Sequence, residues 1–413
     1  MKIAIIGSGI SGLGAAYLLS RKHAITVFER DPRPGGHANT VTITTEKHEL
    51  PLDTGFLVHN EKNYPNLLRL FRELNVQTQL SEMSFSVSCD ECGLEYSGRK
   101  PFAQRSNLFR LRHYALVYEI VDFLRTSPKS LARGDLADQT LDQYVVSRRY
   151  SSNFRNHFLI PLTAALWSTA PNTAGSFPIE HAVRFFDHHG MLGFGRFEWK
   201  TVTGGSHNYV KKITQILGED IRINTAVETI ARSGRKVTLR LADGTLENFD
   251  SVVIATHADE ALAMLERPTQ LEQEILSSFP FTHNEVVLHH DKKLLPTQRN
   301  AQASWNYHLS HCDASQSQAT MTYALNRLQK LDEPREYCVT LNRTDAIDPT
   351  TILEKIAYRH PMYTVNGIAQ QERIAEIQNT GRTFYCGAWQ GFGFHEDGLR
   401  SAVSVAKSLG IEW

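Results

Sequence analysis

A chain of 413 residues with 41% hydrophobic content can bury a substantial core and is long enough for two domains. Lys plus Arg and Asp plus Glu both number 44, so the formal net charge is zero, which argues against a protein built on long-range attraction to nucleic acid. Five scattered cysteines, an odd number, argue against a disulfide framework and for a reducing compartment, taken here as the cytoplasm.

No apolar run reaches the roughly 18 residues of a transmembrane span. The opening MKIAIIGSG is broken by glycine too early for a signal peptide. Lys2 to Ile6 instead suits a buried parallel strand, Leu13 to Ser20 continues at helical spacing, and Ala24 to Phe28 makes a second strand ending at Glu29. Between them Gly7, Gly9 and Gly12 spell G-x-G-x-x-G. Gly7 permits the tight turn, Gly9 admits a pyrophosphate to the backbone, and Gly12 lets the helix pack close to the sheet. The backbone amides that open the helix face the phosphates. Glu29 is placed to accept the hydroxyls of an adenosine ribose, and its charge disfavours the extra phosphate of NADP. Downstream, Arg33 offers a donor fork, and Gly35 and Gly36 allow a second close backbone approach.

This G-x-G-x-x-G followed by Glu29-Arg30-Asp31-x-Arg33-x-Gly35-Gly36 resembles the flavin amine oxidase, phytoene desaturase and protoporphyrinogen oxidase superfamily, with His37 standing where the family carries an arginine. The resemblance implies an α/β fold: an FAD-binding Rossmann-like domain of the glutathione reductase/amine oxidase type, with a second α+β substrate domain inserted. It implies noncovalent FAD, held by Gly7, Gly9, Ile10, Ser11, Gly12, Glu29, Arg30, Arg33, Gly35, Gly36 and His37. The Gly55 and Phe56 backbone, after Asp53-Thr54-Gly55, is expected near the isoalloxazine ring.

Tyr64 to Leu74 reads as an amphipathic helix. Residues 80 to 100 read as strands and turns, and Leu108 to Leu124 as a helix stopped at Thr126-Ser127-Pro128. Two more helices are expected within Leu136 to Leu166, then a loop from Ser168 to Phe177. In the aromatic stretch 177 to 205, Phe185, Phe186, Phe194, Phe197 and Trp199 are either core or the lining of an apolar channel. Gly204-Gly205-Ser206 turns into a helix. Ile221 to Ile230, Lys236 to Leu241 and Phe249 to Thr256 follow as strands, with a turn at Asp243-Gly244. By resemblance, Val227 contacts the adenine region and Thr256 lies beneath the dinucleotide. Residues 271 to 365, interrupted by prolines, are assigned to the substrate domain, with strand character at Glu285 to His290 and Ala319 to Tyr323. The expected division is FAD-binding segments 1–75, 204–270 and 371–413, alternating with substrate-domain segments 76–203 and 271–370.

The end of the chain is unusually dense in glycine and aromatics. Phe384 to Gly387 reads as a last buried strand. Glu396 to Ala402 resembles the family's final helix, whose amides at Gly398 and Leu399 would face the flavin N1 and C2 oxygen; Gly387 matches the family glycine before it. His395, Glu396 and His59 are the candidate bases, His395 first because its ordinary value near 6.5 lies close to operating pH, with helix capping as its alternative role. Trp389, Phe392, Phe394 and Trp305 are candidates for the substrate wall. No metal is expected: Cys89-x-x-Cys92 reads as structural or incidental, and His308, His311 and Cys312 have zinc-like spacing without a further set.

The stretches LDTGFLVHNEKNYPNLLRLF and GFGFHEDGLRSA also resemble a bacterial subgroup often encoded beside cyclopropane-fatty-acyl synthases. That resemblance implies an acyl-lipid or isoprenoid substrate, oxidised or desaturated by hydride transfer to flavin N5. Oxygen or an unidentified acceptor would reoxidise the flavin, and membrane contact would be transient and peripheral, at the inner face. An amine oxidase and a noncatalytic flavin-binding scaffold are the alternatives, and the protein is a monomer or homodimer.

Overall fold

Five parallel strands form the first sheet, in the order Ile221–Arg222, Ala24–Phe28, Lys2–Ile6, Ser251–Ile254 and Thr383–Tyr385. The structure, a computed structural model, describes residues 1–192 and 197–413. These strands are short and apolar because both of their faces are covered, and Ile3, Ala4, Ile5, Val252 and Val253 are wholly enclosed. One face carries helix Ile10–Leu19 and the closing helix His395–Ser408. The other carries an antiparallel meander of Val227–Ser233, Lys236–Leu241 and Leu246–Phe249.

The two helices touch because small residues line their contact. A Cβ on Gly14 would lie 2.5 Å from Leu399 Cδ1 and 3.5 Å from the Ala402 methyl. Burying Leu399 at this junction contributes up to about 1.5–3 kcal/mol.

The inserted α+β domain is built on a seven-stranded sheet, in the order Ile352–Pro361, Phe281–His289, Cys338–Leu341, Met321–Ala324, Trp305–Leu309, Phe85–Cys89 and Leu94–Ser97. Helices Leu111–Arg133, Ile160–Trp167 and Ile179–His188 pack with it into one core that encloses Phe123, Phe154, Phe177, Phe185, Phe186 and Tyr307. Strands from both halves of the sequence share this sheet, since Trp305–Leu309 runs parallel to Phe85–Cys89.

Two expectations change here. Helix Leu111–Arg133 does not stop at Pro128 but carries it inside. Proline removes a helical donor, and beside it Thr126 and Ser127 turn their hydroxyls back to the carbonyls of Asp122 and Phe123, at 2.8 and 2.7 Å. The stretch 271 to 365 is also more regular than its prolines suggest, because Trp305–Leu309, Cys338–Leu341 and Ile352–Pro361 all pair as strands.

Asp53 joins the parts. Its buried carboxylate accepts from Thr40 Oγ1 at 2.6 Å and from the Ser206 amide and hydroxyl, both at 2.8 Å. Its own amide donates to Gln329 Oε1 at 3.0 Å. Burial pushes this carboxyl up to about 6 despite those donors. Among the described residues, no helix is long and apolar enough to cross a membrane.

Candidate active site

Strand Lys2–Ile6 ends in a turn whose shape depends on missing side chains. Gly7 has φ of +95°, and a Cβ on Gly12 would sit 1.9 Å from the Gly7 carbonyl oxygen. The first helical bond runs from the Leu13 amide to the Gly9 carbonyl, 2.9 Å, so the amides of Ile10, Ser11 and Gly12 have no partner within the helix. A Cβ on Gly9 would meet nothing within 4 Å, so open space lies over the turn. Gly36 (φ +56°) closes over it, its Cβ direction reaching 3.2 Å from the Gly9 Cα.

Glu29 is held from behind. The Ser8 amide donates to Oε2 at 2.9 Å, the Ser8 hydroxyl donates to the same oxygen, and the Asp31 amide donates to Oε1 at 3.0 Å. A carboxylate fixed this way keeps lone pairs for two vicinal hydroxyls.

This turn borders one end of a cavity of about 1480 Å³. Ligand pockets usually measure about 300–1,000 Å³, so there is room for a dinucleotide and a second molecule. Gly7, Gly9, Ile10, Ser11, Glu29, Arg30, Arg33, Gly36, His37, Gly55, Phe56, Val227, Thr256 and Gly387 all border it. Gly12 and Gly35 act behind the wall: Gly35, φ +115°, donates its amide to the Ser8 carbonyl at 3.0 Å. The two arginines are already partly engaged, Arg30 with Glu260 at 3.0 Å and Arg33 with the Gly36 carbonyl at 3.0 Å.

His37 stacks on Tyr358 with centroids 4.4 Å apart. Burial, then the neighbouring His360 and His257, keeps its imidazole far below the ordinary value, so the ring is neutral. Its Nε2 is buried without a partner. An orphaned polar atom in the wall, an open glycine turn and a pre-oriented carboxylate together fit FAD, with the diphosphate over residues 7–12 and the adenosine ribose at Glu29.

At the closing helix the structure departs from the sequence expectations. The Gly398 amide donates to the Phe394 carbonyl at 3.1 Å, and neither Gly398 nor Leu399 borders the cavity. Gly398 instead permits contact, since a Cβ there would lie 2.7 Å from Ser11 Oγ. Gly393, Phe394 and His395 form this part of the wall.

His395 stacks on Phe56 with centroids 3.8 Å apart, and its Nε2 lies 3.3 Å from the Tyr209 hydroxyl. Burial, with His59 adding to it, pushes this imidazole down to about 3. It is therefore a weak base, in contrast to the value near neutrality that its residue type suggests. Glu396 caps another helix: its oxygens accept from the Asn66 amide at 3.1 Å, Asn66 Nδ2 at 2.6 Å and the Leu67 amide at 3.0 Å. His59 is wholly buried among Phe56, Tyr64 and Phe71, outside the cavity lining, and burial pushes it down to about 4.

The aromatic candidates also divide. Trp389 borders the cavity while only 2% exposed, packed on Phe279 and donating Nε1 to the Thr256 carbonyl at 3.2 Å, so it is a fixed part of the wall. Phe392 packs against His181 and Phe185 behind the lining. Phe394 and Trp305 border the cavity, Trp305 edge-on to Tyr323 with its Nε1 buried and unpartnered. Phe185, Phe197 and Trp199 border it too, whereas Phe186 is core and Phe194 lies outside the described residues. Sequence reasoning missed Ser8, Tyr358, His360 and His257, which line the same space. Only the position of Ser8 inside the glycine motif could have signalled its role.

Residues 10–303 match the family model described as flavin containing amine oxidoreductase. A segment of 88 residues is 35% identical to the 15-cis-phytoene desaturase of Synechococcus elongatus, spanning 21% of this chain and only 18% of that protein. Among solved structures, the CLA-producing fatty acid isomerase from P. acnes has a TM-score of 0.70 at 17% identity, covering 99% of this chain and 98% of that one. A putrescine oxidase redesigned for cofactor binding scores 0.69 at 15% identity with the same coverage. Cyclohexylamine oxidase from Brevibacterium oxydans IH-35A scores 0.67 at 14% identity, covering 99% of both chains. At these identities the solved structures share the fold, and the family match carries the assignment: the chain belongs to the flavin containing amine oxidoreductases.

Proposed function

We propose that this FAD-dependent oxidoreductase oxidises or desaturates an apolar chain, an acyl lipid or an isoprenoid, in preference to an amine. The observation that carries this reading is the wall opposite the glycine turn. Met83, Phe85, Leu162, Leu166, Met191 and Ile356 border the cavity there with Phe185, Trp305 and Tyr323.

An amine cation would need a free carboxylate or an open aromatic cage. The carboxylates that border the cavity among the described residues are Glu29, Asp31, Glu198 and Glu260. Glu29 is bound by Ser8 and Asp31, and Asp31 lies 3.9 Å from Arg30. Glu198 pairs with Lys200 at 3.7 Å, and Glu260 with Arg30 and Arg359 at 3.0 and 3.4 Å. Exposed Leu80, Arg99 and Lys330 also border the cavity, a rim suited to an anionic head group on an apolar tail.

When bound, FAD supplies the acceptor for a hydride or an electron pair. The chain's own residues shape and dry the site. Tyr358 is fixed by Asn39 Nδ2 at 3.0 Å and Thr54 Oγ1 at 2.9 Å, which holds the wall rigid beside His37. His395 and His37 remain neutral there, so they add no cation to repel or trap charge.

A surface patch supports delivery from a membrane. Leu108, Phe109, Leu111, Tyr114 and Tyr118 are exposed, Phe109 at 89% and Leu111 at 86%, beside exposed Arg105, Arg110 and Arg112. Apolar side chains flanked by arginines suit a peripheral contact with an anionic lipid surface.

Anaerobic mixing of the yellow protein with acyl lipids, isoprenoids and simple amines tests the reading through loss of visible flavin absorbance. Bleaching by an acyl or isoprenoid compound is expected. Bleaching by amines alone would replace the reading with an amine oxidase, and bleaching by none of them would favour a scaffold.

A further inference from the structure

Cys89 and Cys92 lie on the hairpin of Phe85–Cys89 and Leu94–Ser97, which turns at Gly93 with φ of +63°. The turn brings both thiols to one end of the substrate-domain sheet. Strand Trp305–Leu309 runs alongside with Leu309 opposite Cys89, and the chain beyond it delivers Cys312, whose Sγ is 3.6 Å from that of Cys89. The fourth group comes from the helical cover. His157 sits in a π-helical turn, Arg155–Leu159, and its Nε2 lies 3.7 Å from Cys92 Sγ. The four donor atoms all lie within 4.8 Å of one another.

His157 and Cys312 are held by neighbouring groups. His157 Nδ1 lies 3.2 Å from the Asn153 carbonyl, the bond that leaves the Nε2 lone pair directed at the thiols. Tyr96 donates its hydroxyl to the His157 carbonyl at 2.7 Å. The Cys312 amide donates to Glu91 Oε2 at 2.8 Å, and Asn156 Nδ2 donates to the Cys312 carbonyl at 2.9 Å. His157 is 2% exposed and Cys89 3%, while Cys92 reaches the surface, a path for an ion to enter. π-Helical turns inside helices often mark functional positions, and this one places an imidazole next to three thiols.

The donor set selects the ion. Three sulfurs and one imidazole nitrogen make a closed Cys₃His set, the ligand choice of structural zinc. With Zn–S near 2.3 Å, tetrahedral ligands stand about 3.8 Å apart, close to the separations found here. An iron–sulfur cluster would not fit inside so tight a cage. Of the three residues that spacing nominated, Cys312 joins the cluster, whereas His308 Nε2 meets Asp90 at 2.8 Å and His311 lies 3.7 Å from Glu91.

We infer that Cys89, Cys92, His157 and Cys312 hold one zinc ion, which ties the edge hairpin of the seven-stranded sheet to the helical cover. None of the four borders the cofactor cavity, so the ion is structural and takes no part in the redox chemistry. Binding releases the thiol protons to solvent and changes no oxidation state.

Metal analysis of the full-length, flavin-loaded protein tests this, with the protein grown in zinc-supplemented medium and purified under reducing conditions without a histidine tag. One equivalent of zinc per chain, retained through gel filtration, is expected. Exchange for Co(II) should give tetrahedral ligand-field bands to the red of the flavin absorption. His157→Ala and Cys312→Ser should lose the ion, while His157→Cys and Cys338→Ser, the latter outside the cluster, should keep it. Wild-type protein without metal, copper in place of zinc, or a Cys89–Cys312 disulfide in protein prepared under reducing conditions would each overturn the assignment. Because wild-type stoichiometry decides, poor folding of a variant does not protect the inference.

Discussion

Gly12 has no room for even a methyl group, because the Gly7 carbonyl oxygen occupies its Cβ position at 1.9 Å. Gly12→Ala must therefore open the turn proposed to hold the diphosphate. A cost of about 1–3 kcal/mol in stability is expected, together with loss of bound flavin, read from thermal melts and the flavin-to-protein ratio. His395 gives a second test at this scale. Its ring titrates at about 3, so it carries no proton exchange near neutrality. His395→Asn should leave the shape of the pH–rate profile unchanged between about pH 5 and 8, whatever it does to the rate itself. Disappearance of an ionisation in that window would restore the histidine as a base. Glu396 makes the related point: a carboxylate beside a cofactor site can be wholly occupied in capping a neighbouring helix.

At the level of elements, the cofactor end depends on the first and closing helices meeting closely at Gly14 and Gly398. Gly398→Val would push against Ser11 and Ile10, where even a Cβ comes to 2.7 and 2.9 Å. Weaker flavin retention and a lower melting temperature are expected, with little change if the helices can slide apart freely. This junction was readable in the sequence because each half carries a local signature, a glycine turn after an apolar strand and a glycine-rich run before an amphipathic helix. The inserted α+β domain was legible as a domain, but its strand pairing was not, because its sheet pairs Phe85–Cys89 with Trp305–Leu309, far away in the chain. Pro128 misled for a related reason, since back-bonded hydroxyls and tertiary packing carry the helix through it. The cysteine cluster was hidden in the same way: the C-x-x-C is local, but His157 and Cys312 come from two other segments.

Across the whole molecule, many histidines are buried uncharged. Burial pushes His59, His189 and His289 down to about 4 and His181 to about 3. The unfolded chain binds protons near 6.5 that these native residues refuse, so their contribution is complete above that value and is lost as pH falls toward 4. Asp53, raised to about 6, acts in the opposite direction, as do Glu396 and Asp397, also raised by burial, but the lowered histidines, His360 and His395 among them, outnumber these carboxyls. The flavin-loaded protein should melt at a lower temperature at about pH 5 than at about pH 7.5, by on the order of 1 kcal/mol of stability per histidine. A flat or inverted dependence would mean that those rings are solvated.

Both ends of the chain border one cavity that fits a dinucleotide. The most direct measurement is to denature purified protein and identify the released chromophore by mass spectrometry, with its stoichiometry. One FAD per chain, released without covalent attachment, is the expected result. Release of FMN or a nicotinamide dinucleotide, or a flavin that stays on the peptide, would contradict it.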